Sequence, residues 1–204
     1  MTSIAFIGLG NMGGPMAANL VKAGRKVVAF DLVPASRDAA KADGVTIAAS
    51  AAETVRGAQV VVTMLPAGKH VLSVWTELLP AMEKGSLIID CSTIDVESAV
   101  QAHALAAKHG VASVDAPVSG GTGGAKGASL TFMAGGEDKA FAAAKPVLEL
   151  MGKKIVHCGG AGGPGRVLRQ REVLHHQRRG EARLIVVIGG RSRHRTRHRT
   201  IGRQ

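Results

Sequence analysis

The segment Ser3–Ile7 (SIAFI) is a short run of strand formers. It passes without a spacer into Gly8-Leu9-Gly10-Asn11-Met12-Gly13, the spacing G-x-G-x-x-G. Met12 to Ala23 continues with helical periodicity, and Asp31 closes the next apolar run, VVAF, 18 residues after Gly13. Strand, glycine turn, helix, second strand and terminal acid, in that order, are what a dinucleotide-binding βαβ unit requires. Gly8 permits the tight turn, Gly10 lets the backbone come close to a pyrophosphate, and Gly13 lets the helix pack on the strand. The helix start then offers free N–H groups and a positive dipole end to the phosphates. Glycine alone would prove little, because there are 27 in 204 residues. The ordered elements around the loop make the signal specific. Asp31 suits both hydroxyls of a ribose and repels a 2′-phosphate. Leu32 and Val33 supply no cation to offset that repulsion, so NAD is expected over NADP.

Beyond the first unit, the text alternates short apolar runs with periodic segments. Strands are expected at Lys26–Asp31, Thr46–Ala48, Gln59–Leu65, Ser86–Cys91, Ala112–Asp115, Ser129–Ala134 and Lys154–Cys158. Helices are expected at Ala35–Lys41, Ala51–Arg56, Lys69–Met82 (broken by Pro80), Asp95–His109 and Glu137–Met151. Such alternation predicts an α/β fold, a doubly wound and mainly parallel Rossmann sheet covered on both faces. The expected dinucleotide-binding domain covers residues 1–158. Residues 159–204 are expected to form a Gly-rich turn and a basic, irregular or out-of-frame tail.

The hydrophobic share of 46% is ample for one core. No apolar run approaches the ~20 residues that span a bilayer. The first residues also lack a basic stretch followed by an apolar core and cleavage site. A cytoplasmic protein without membrane contact is the expectation. Cys91 and Cys158 are too few for a disulfide framework or a metal cluster and read as small buried thiols. The net charge of +11 is unevenly placed. Residues 1–165 hold 11 Lys and 3 Arg against 13 acids, whereas residues 166–204 hold 12 Arg, no Lys and 2 acids.

Three further loops fall at carboxyl ends of expected strands, where open α/β sheets bind ligands. Met64-Leu65-Pro66 offers an apolar, rigid wall, or simply ends a strand. Asp90-Cys91-Ser92-Thr93 offers hydroxyls for a ribose or a substrate, while Thr93 or Asp95 is also placed to cap the next helix. The third loop runs from Asp115 to Gly136. Gly120 is followed in it by six more glycines, and Ser119 and Thr122 add hydroxyl donors. Bare N–H groups and hydroxyls can cradle a small carboxylate. On composition alone, a flexible surface loop is the stronger reading.

GLGNMGGPMAANL, the segment MLPAGKHV from Met64, DCSTI from Asp90 and DAPVSGG from Asp115 together resemble the β-hydroxyacid dehydrogenases, in particular their 3-hydroxyisobutyrate dehydrogenase branch. The resemblance covers roughly residues 1–163. It implies an NAD-linked oxidoreductase that oxidises 3-hydroxyisobutyrate to methylmalonate semialdehyde in valine catabolism. It places the cofactor on Gly8–Gly13 and Asp31, with Leu65, Pro66 and Thr93 in contact. It places the substrate carboxylate on Ser119, Gly120 and Gly121. It also implies a homo-oligomer built mainly through a helical second domain.

The sequence departs from this pattern after Gly163. In the family, a Gly-rich turn leads into a long helix bearing a catalytic lysine and an asparagine, and then into the all-helical domain. Here the corresponding text is GPGRVLRQREVLHHQ, and no lysine follows Lys154. The lysine serves the family as a positioned acid/base for the substrate hydroxyl, so the catalytic residue of this chain is unassigned. Little or no turnover and exposure of the apolar face that the second domain would cover are expected.

Weaker candidates complete the survey. His175-His176 and His194/His198 sit in Arg-rich surroundings that repel a metal ion, so no metal is expected. Lys126 reads as a solvated loop lysine and His157 as a packed or capping residue. A sibling activity, such as that of a tartronate semialdehyde reductase, is the alternative within the class. The alternative outside it is a non-catalytic NAD-binding protein with a nucleic-acid-binding tail. Ten excess charges would support salt-sensitive binding, but no aromatic residue lies in residues 166–204 to stack on bases. The switch to Arg-rich text near Gly163–Arg166 is the expected signature of a high-GC gene read out of frame. Resequencing the DNA is expected to find a family-like helical continuation in an alternative frame. Its absence from both frames contradicts the frameshift.

Overall fold

The computed structural model describes residues 3–159. The basic tail, the histidines His175, His176, His194 and His198, and the apolar run Leu184–Ile188 lie outside the described residues. Six parallel strands form the main sheet: β1 (Ser3–Ile7), β2 (Lys26–Phe30), β3 (Thr46–Ile47), β4 (Val60–Thr63), β5 (Leu87–Asp90) and β6 (Ala112–Asp115). Their spatial order is β3-β2-β1-β4-β5-β6. The order reverses direction between β1 and β4, which opens a crevice at their carboxyl ends.

Helices cover both faces, as the continuous apolar strands require. On one side lie α1 (Gly13–Lys22), α2 (Pro34–Ala42) and α7 (Asp138–Leu148). They bury Met16, Leu20, Ala40 and Leu148 against Ile4, Phe6, Val62 and Ile89. On the other lie α3 (Ala51–Thr54), α4 (Gly68–Leu78) and α5 (Val96–Lys108). There Trp75, Leu78 and Ala102 pack on Ile7, Val61 and Ile88. The alternation of these strand side chains between the two clusters is the period of two expected of an extended chain. Local signals set the helix ends. Ser50 and Glu53 form a reciprocal cap on α3, with Glu53 N donating to Ser50 Oγ at 3.1 Å and Ala49 N to Glu53 Oε2 at 3.0 Å. Pro80 stops α4, and a 3-10 turn follows at Leu79–Ala81.

The glycine-rich segment after β6 departs from the expectation of a loose loop. It folds as β7 (Val118–Ser119) and α6 (Gly121–Lys126) and leads into β8 (Leu130–Ala134). With β9 (Gly152–His157), these strands make a second, three-stranded sheet, in which β7 runs antiparallel and β9 parallel to β8. A two-way backbone pair between Asp115 and Gly135 joins it to the end of β6. Sequence propensity argues against α6, because five of the eight residues Gly120–Gly127 are helix-weakening glycines. Packing decides instead. A Cβ at Gly120 or Gly124 would crowd Leu130 Cδ2 at 3.3 and 3.2 Å, and Asn19 Nδ2 on α1 donates to Ala125 O at 2.7 Å.

His157 ends β9 as a packed residue. It stacks on Phe141 with ring centroids 4.0 Å apart, and its Nε2 lies 3.2 Å from Gly136 O. Cys91 is buried and Cys158 half-buried, and both are free thiols. Among the described residues, no helix is long and apolar enough to cross a membrane.

His103 on α5 meets Ser113 Oγ on β6 through Nδ1 at 2.6 Å, and burial holds its pKa below the ordinary 6.5. The folded state therefore binds this proton less readily than the unfolded chain. Its stabilising contribution is complete above pH 6.5 and is lost as the pH falls through 6.5 toward the depressed value. Urea unfolding at pH 7.5 and 5.5 checks this: the midpoint of the unaltered chain is expected to fall further than that of His103→Gln. Parallel losses contradict it.

Candidate nucleotide-binding site

The carboxyl ends of β1, β2, β4 and β5 come together, and three of the four sequence-nominated loops meet there. Gly8 has φ +95°, a conformation open to glycine, and a Cβ on it would overlap the Met64 carbonyl oxygen. A Cβ on Gly13 would overlap the Gly8 carbonyl oxygen and stand 3.1 Å from Phe6 Cε1. Gly10 is different, since a Cβ there would meet no protein atom within 4 Å. Two glycines thus serve the protein's own packing, and the third leaves an open approach to the backbone. Asn11 is exposed and Met12 is half-buried at the helix start. The N-cap Met12 makes no side-chain cap, and the first turn of α1 contains no acid. The positive end of this ten-residue helix is unneutralised by its own sequence.

Asp31 is tied to the glycine loop directly. Leu9 N donates to its Oδ2 at 2.6 Å and Val33 N to its Oδ1 at 2.7 Å. The carboxylate therefore sets the loop's position and still keeps lone pairs for ribose hydroxyls. The Leu9 side chain is buried, so that residue can serve a ligand through its backbone only. Leu32 is 85% exposed beside it. Leu32 and Val33 carry no cation, but one comes from further along the chain. Arg37, one turn into α2, donates to Asp31 O at 2.6 Å and Leu32 O at 3.2 Å, and its guanidinium lies 5.7 Å from the Phe30 ring centroid.

The other strand ends complete the crevice. Leu65 is half-buried with its Cδ2 3.2 Å from the position of a Gly8 Cβ, and Pro66 is exposed. In the loop after β5, the two hydroxyls part company. Ser92 is fully buried and turned inward, donating to Asp90 Oδ1 at 2.6 Å and accepting from Leu65 N at 2.8 Å. Of the two hydroxyls that the loop offers, this one is engaged within the protein. Asp95 caps α5 by accepting from Ser98 N at 2.8 Å, which leaves Thr93 exposed on the loop. Cys91 is buried, and burial with Asp90 and Asp115 nearby pushes its thiol well above the usual range, so it is no nucleophile.

Ser119, Gly120 and Gly121 stand at the junction of β7 and α6, with Gly120 at φ +131°. The Asn19–Ala125 bond ties α6 to the cofactor-type helix α1. Backbone bonds within α6, such as Gly124 N to Gly120 O at 3.0 Å, use some of the N–H groups that a loose loop would offer an anion. Lys126 is exposed at the end of α6.

Known proteins share this arrangement. The family model described as the NAD binding domain of 6-phosphogluconate dehydrogenase matches residues 3–160. The 3-hydroxyisobutyrate dehydrogenase of Pseudomonas aeruginosa is 50% identical over 165 residues, covering 79% of this chain and 55% of that protein. The NAD-dependent L-serine dehydrogenase of the same organism is 48% identical over 172 residues, covering 82% and 58%. A solved structure of Mycobacterium tuberculosis 3-hydroxyisobutyrate dehydrogenase with L-serine superposes with a TM-score of 0.81 at 49% identity, covering 86% of this chain and 59% of that one. The chain spans little more than half the length of the relatives it matches.

The distinct surroundings of the glycines yield a paired test. Gly13→Ala is expected to destabilise the fold by about 2–3 kcal/mol, because helix and strand must separate. Gly10→Ala is expected to leave the urea midpoint nearly unchanged while weakening NADH binding by about tenfold or more, a loss of ~1.4 kcal/mol. Equal effects of the two substitutions on stability contradict these assignments.

Proposed function

This chain belongs to the family of NAD-binding domains typified by that of 6-phosphogluconate dehydrogenase, and from that premise we propose that it is the cofactor half of an NAD-dependent 3-hydroxyacid dehydrogenase. The observation that carries the reading is the Asp31 carboxylate bound to Leu9 N at 2.6 Å, which couples the ribose-reading acid to the phosphate-reading loop. The Gly8–Gly13 backbone would hold the pyrophosphate and Asp31 the adenosine ribose, NAD in preference to NADP. Leu65, Pro66 and Thr93 would line the nicotinamide end. When bound, the nicotinamide supplies the hydride acceptor.

The substrate is a small 3-hydroxy acid whose carboxylate would meet Ser119, Gly120 and Gly121. 3-Hydroxyisobutyrate is the first choice, supported by identity to dehydrogenases of that name. L-Serine is the second, supported by a dehydrogenase named for it at 48% identity and by a solved relative with L-serine. The domain boundary falls at about residue 158. No lysine follows Lys154 to act on the substrate hydroxyl, so binding is expected to exceed turnover in this chain.

Calorimetric titration with NAD and NADP tests the reading. The unaltered chain is expected to bind NAD more tightly, and Asp31→Ala to shrink that preference by about tenfold through loss of the ribose hydrogen bonds and of the repulsion of the 2′-phosphate. NADH formation from 3-hydroxyisobutyrate and from L-serine, recorded alongside, ranks the two substrates. Equal binding of NAD and NADP by the unaltered chain contradicts the role given to Asp31.

A further inference from the structure

The last rung of the main sheet is polar where apolar side chains would be the cheaper choice. Thr63, Asp90 and Asp115 are register neighbours at the carboxyl ends of β4, β5 and β6. Register partners on adjacent strands direct their side chains to one face, here the face packed by Trp75. All three are buried. Asp90 Oδ1 accepts from Thr63 Oγ1 at 2.8 Å, Ser92 Oγ at 2.6 Å and Ser92 N at 3.2 Å. Trp75 Nε1 donates to Thr63 Oγ1 at 3.3 Å, and Leu65 N donates to Ser92 Oγ at 2.8 Å. One carboxyl oxygen therefore gathers a chain of bonds running from α4, through β4 and β5, to the loop after β4. Asp90 Oδ2 has no hydrogen-bond partner among the described residues.

Burying a carboxyl group with one oxygen unpartnered is costly. An apolar side chain would avoid that cost but would release both Ser92 and Thr63. Resting on the cofactor reading above, we propose that Asp90 is a positioning residue: through Ser92 it locks the Leu65 and Thr93 loops together and so shapes the nicotinamide end of the crevice. It does so without touching the cofactor. The adenosine end, built on Asp31 and the glycine loop, is held by separate bonds and does not depend on it. Desolvation raises the Asp90 carboxyl above its ordinary value, and desolvation together with Asp90 raises Asp115 further. An asparagine keeps an acceptor oxygen for Thr63 Oγ1 and Ser92 and is the closest substitute at this position.

The test compares two ligands on the full 204-residue chain by calorimetry. NADH reaches both ends of the crevice, while ADP-ribose lacks the nicotinamide. Asp90→Ala is expected to weaken NADH by about tenfold, leaving ADP-ribose within about twofold. Asp90→Asn is expected to recover most of the NADH affinity. Ser92→Ala, which breaks the link to Leu65 and leaves Asp90 its bonds from Thr63 Oγ1 and the residue-92 N–H, is expected to weaken NADH selectively as well, and it serves if Asp90→Ala fails to fold. Equal weakening of both ligands means a general loosening of the fold and overturns the proposal, as does unchanged NADH affinity in Ser92→Ala. If the unaltered chain binds neither ligand, the cofactor reading itself fails and the proposal falls with it. Selective loss of NADH supports both.

Discussion

The contact between α1 and the end of β1 governs the site. Gly13 lies against the Gly8 carbonyl with no room for a side chain, and Gly8 in turn lies against the Met64 carbonyl. Strand, turn and helix are pressed together through backbone atoms alone. This aims the start of α1 at the crevice between β1 and β4, where the strand order reverses. Asp31 adds a second constraint by binding Leu9 N and Val33 N. The loop is preorganised by bonds within the protein, so a dinucleotide would not have to order it, and binding energy is not spent on that step.

A second layer of organisation lies beneath the first. The polar rung Thr63–Asp90–Asp115 lines up at three strand ends, and the Thr63–Asp90 hydrogen bond joins two of them, at a level where the rest of the sheet is apolar. Asn19, buried on α1, reaches Ala125 on α6. The proposed nicotinamide end and the proposed carboxylate end are therefore each tied to a buried polar side chain acting on backbone or loop atoms. Such groups must be fully engaged to be tolerated in a core. Asp90 Oδ2 is the exception among them, and it is the reason the rung merits experimental attention.

The sequence made some of this legible and hid the rest for physical reasons. The βαβ unit was readable because glycine positions, period-two strands and a period-3.6 helix all fall within residues 3–31. Strand and helix order up to Asp115 followed from the same local signals, with ends displaced by a residue or a few. The segment from Val118 to Lys126 was not readable. Its glycines lower helix propensity, and what holds α6 is Leu130 and an asparagine 106 positions away. Ser92 and Thr93 are adjacent and chemically alike, yet one is buried and the other exposed. Only the register of Asp90 beside Thr63 decides which. Arg37 is not legible as a neighbour of Asp31, because its guanidinium returns from one helical turn downstream to carbonyls at Asp31 and Leu32.

The most direct test of the central claim is amide chemical-shift mapping of the isotope-labelled chain titrated with NAD. The account predicts saturable shifts concentrated at Gly10–Gly13, at Val33 beside Asp31, and at Leu65 and Thr93, with the interior amides of α5 unmoved. Shifts confined to residues 166–204, or none at millimolar NAD, would contradict the assignment of this crevice as the cofactor site.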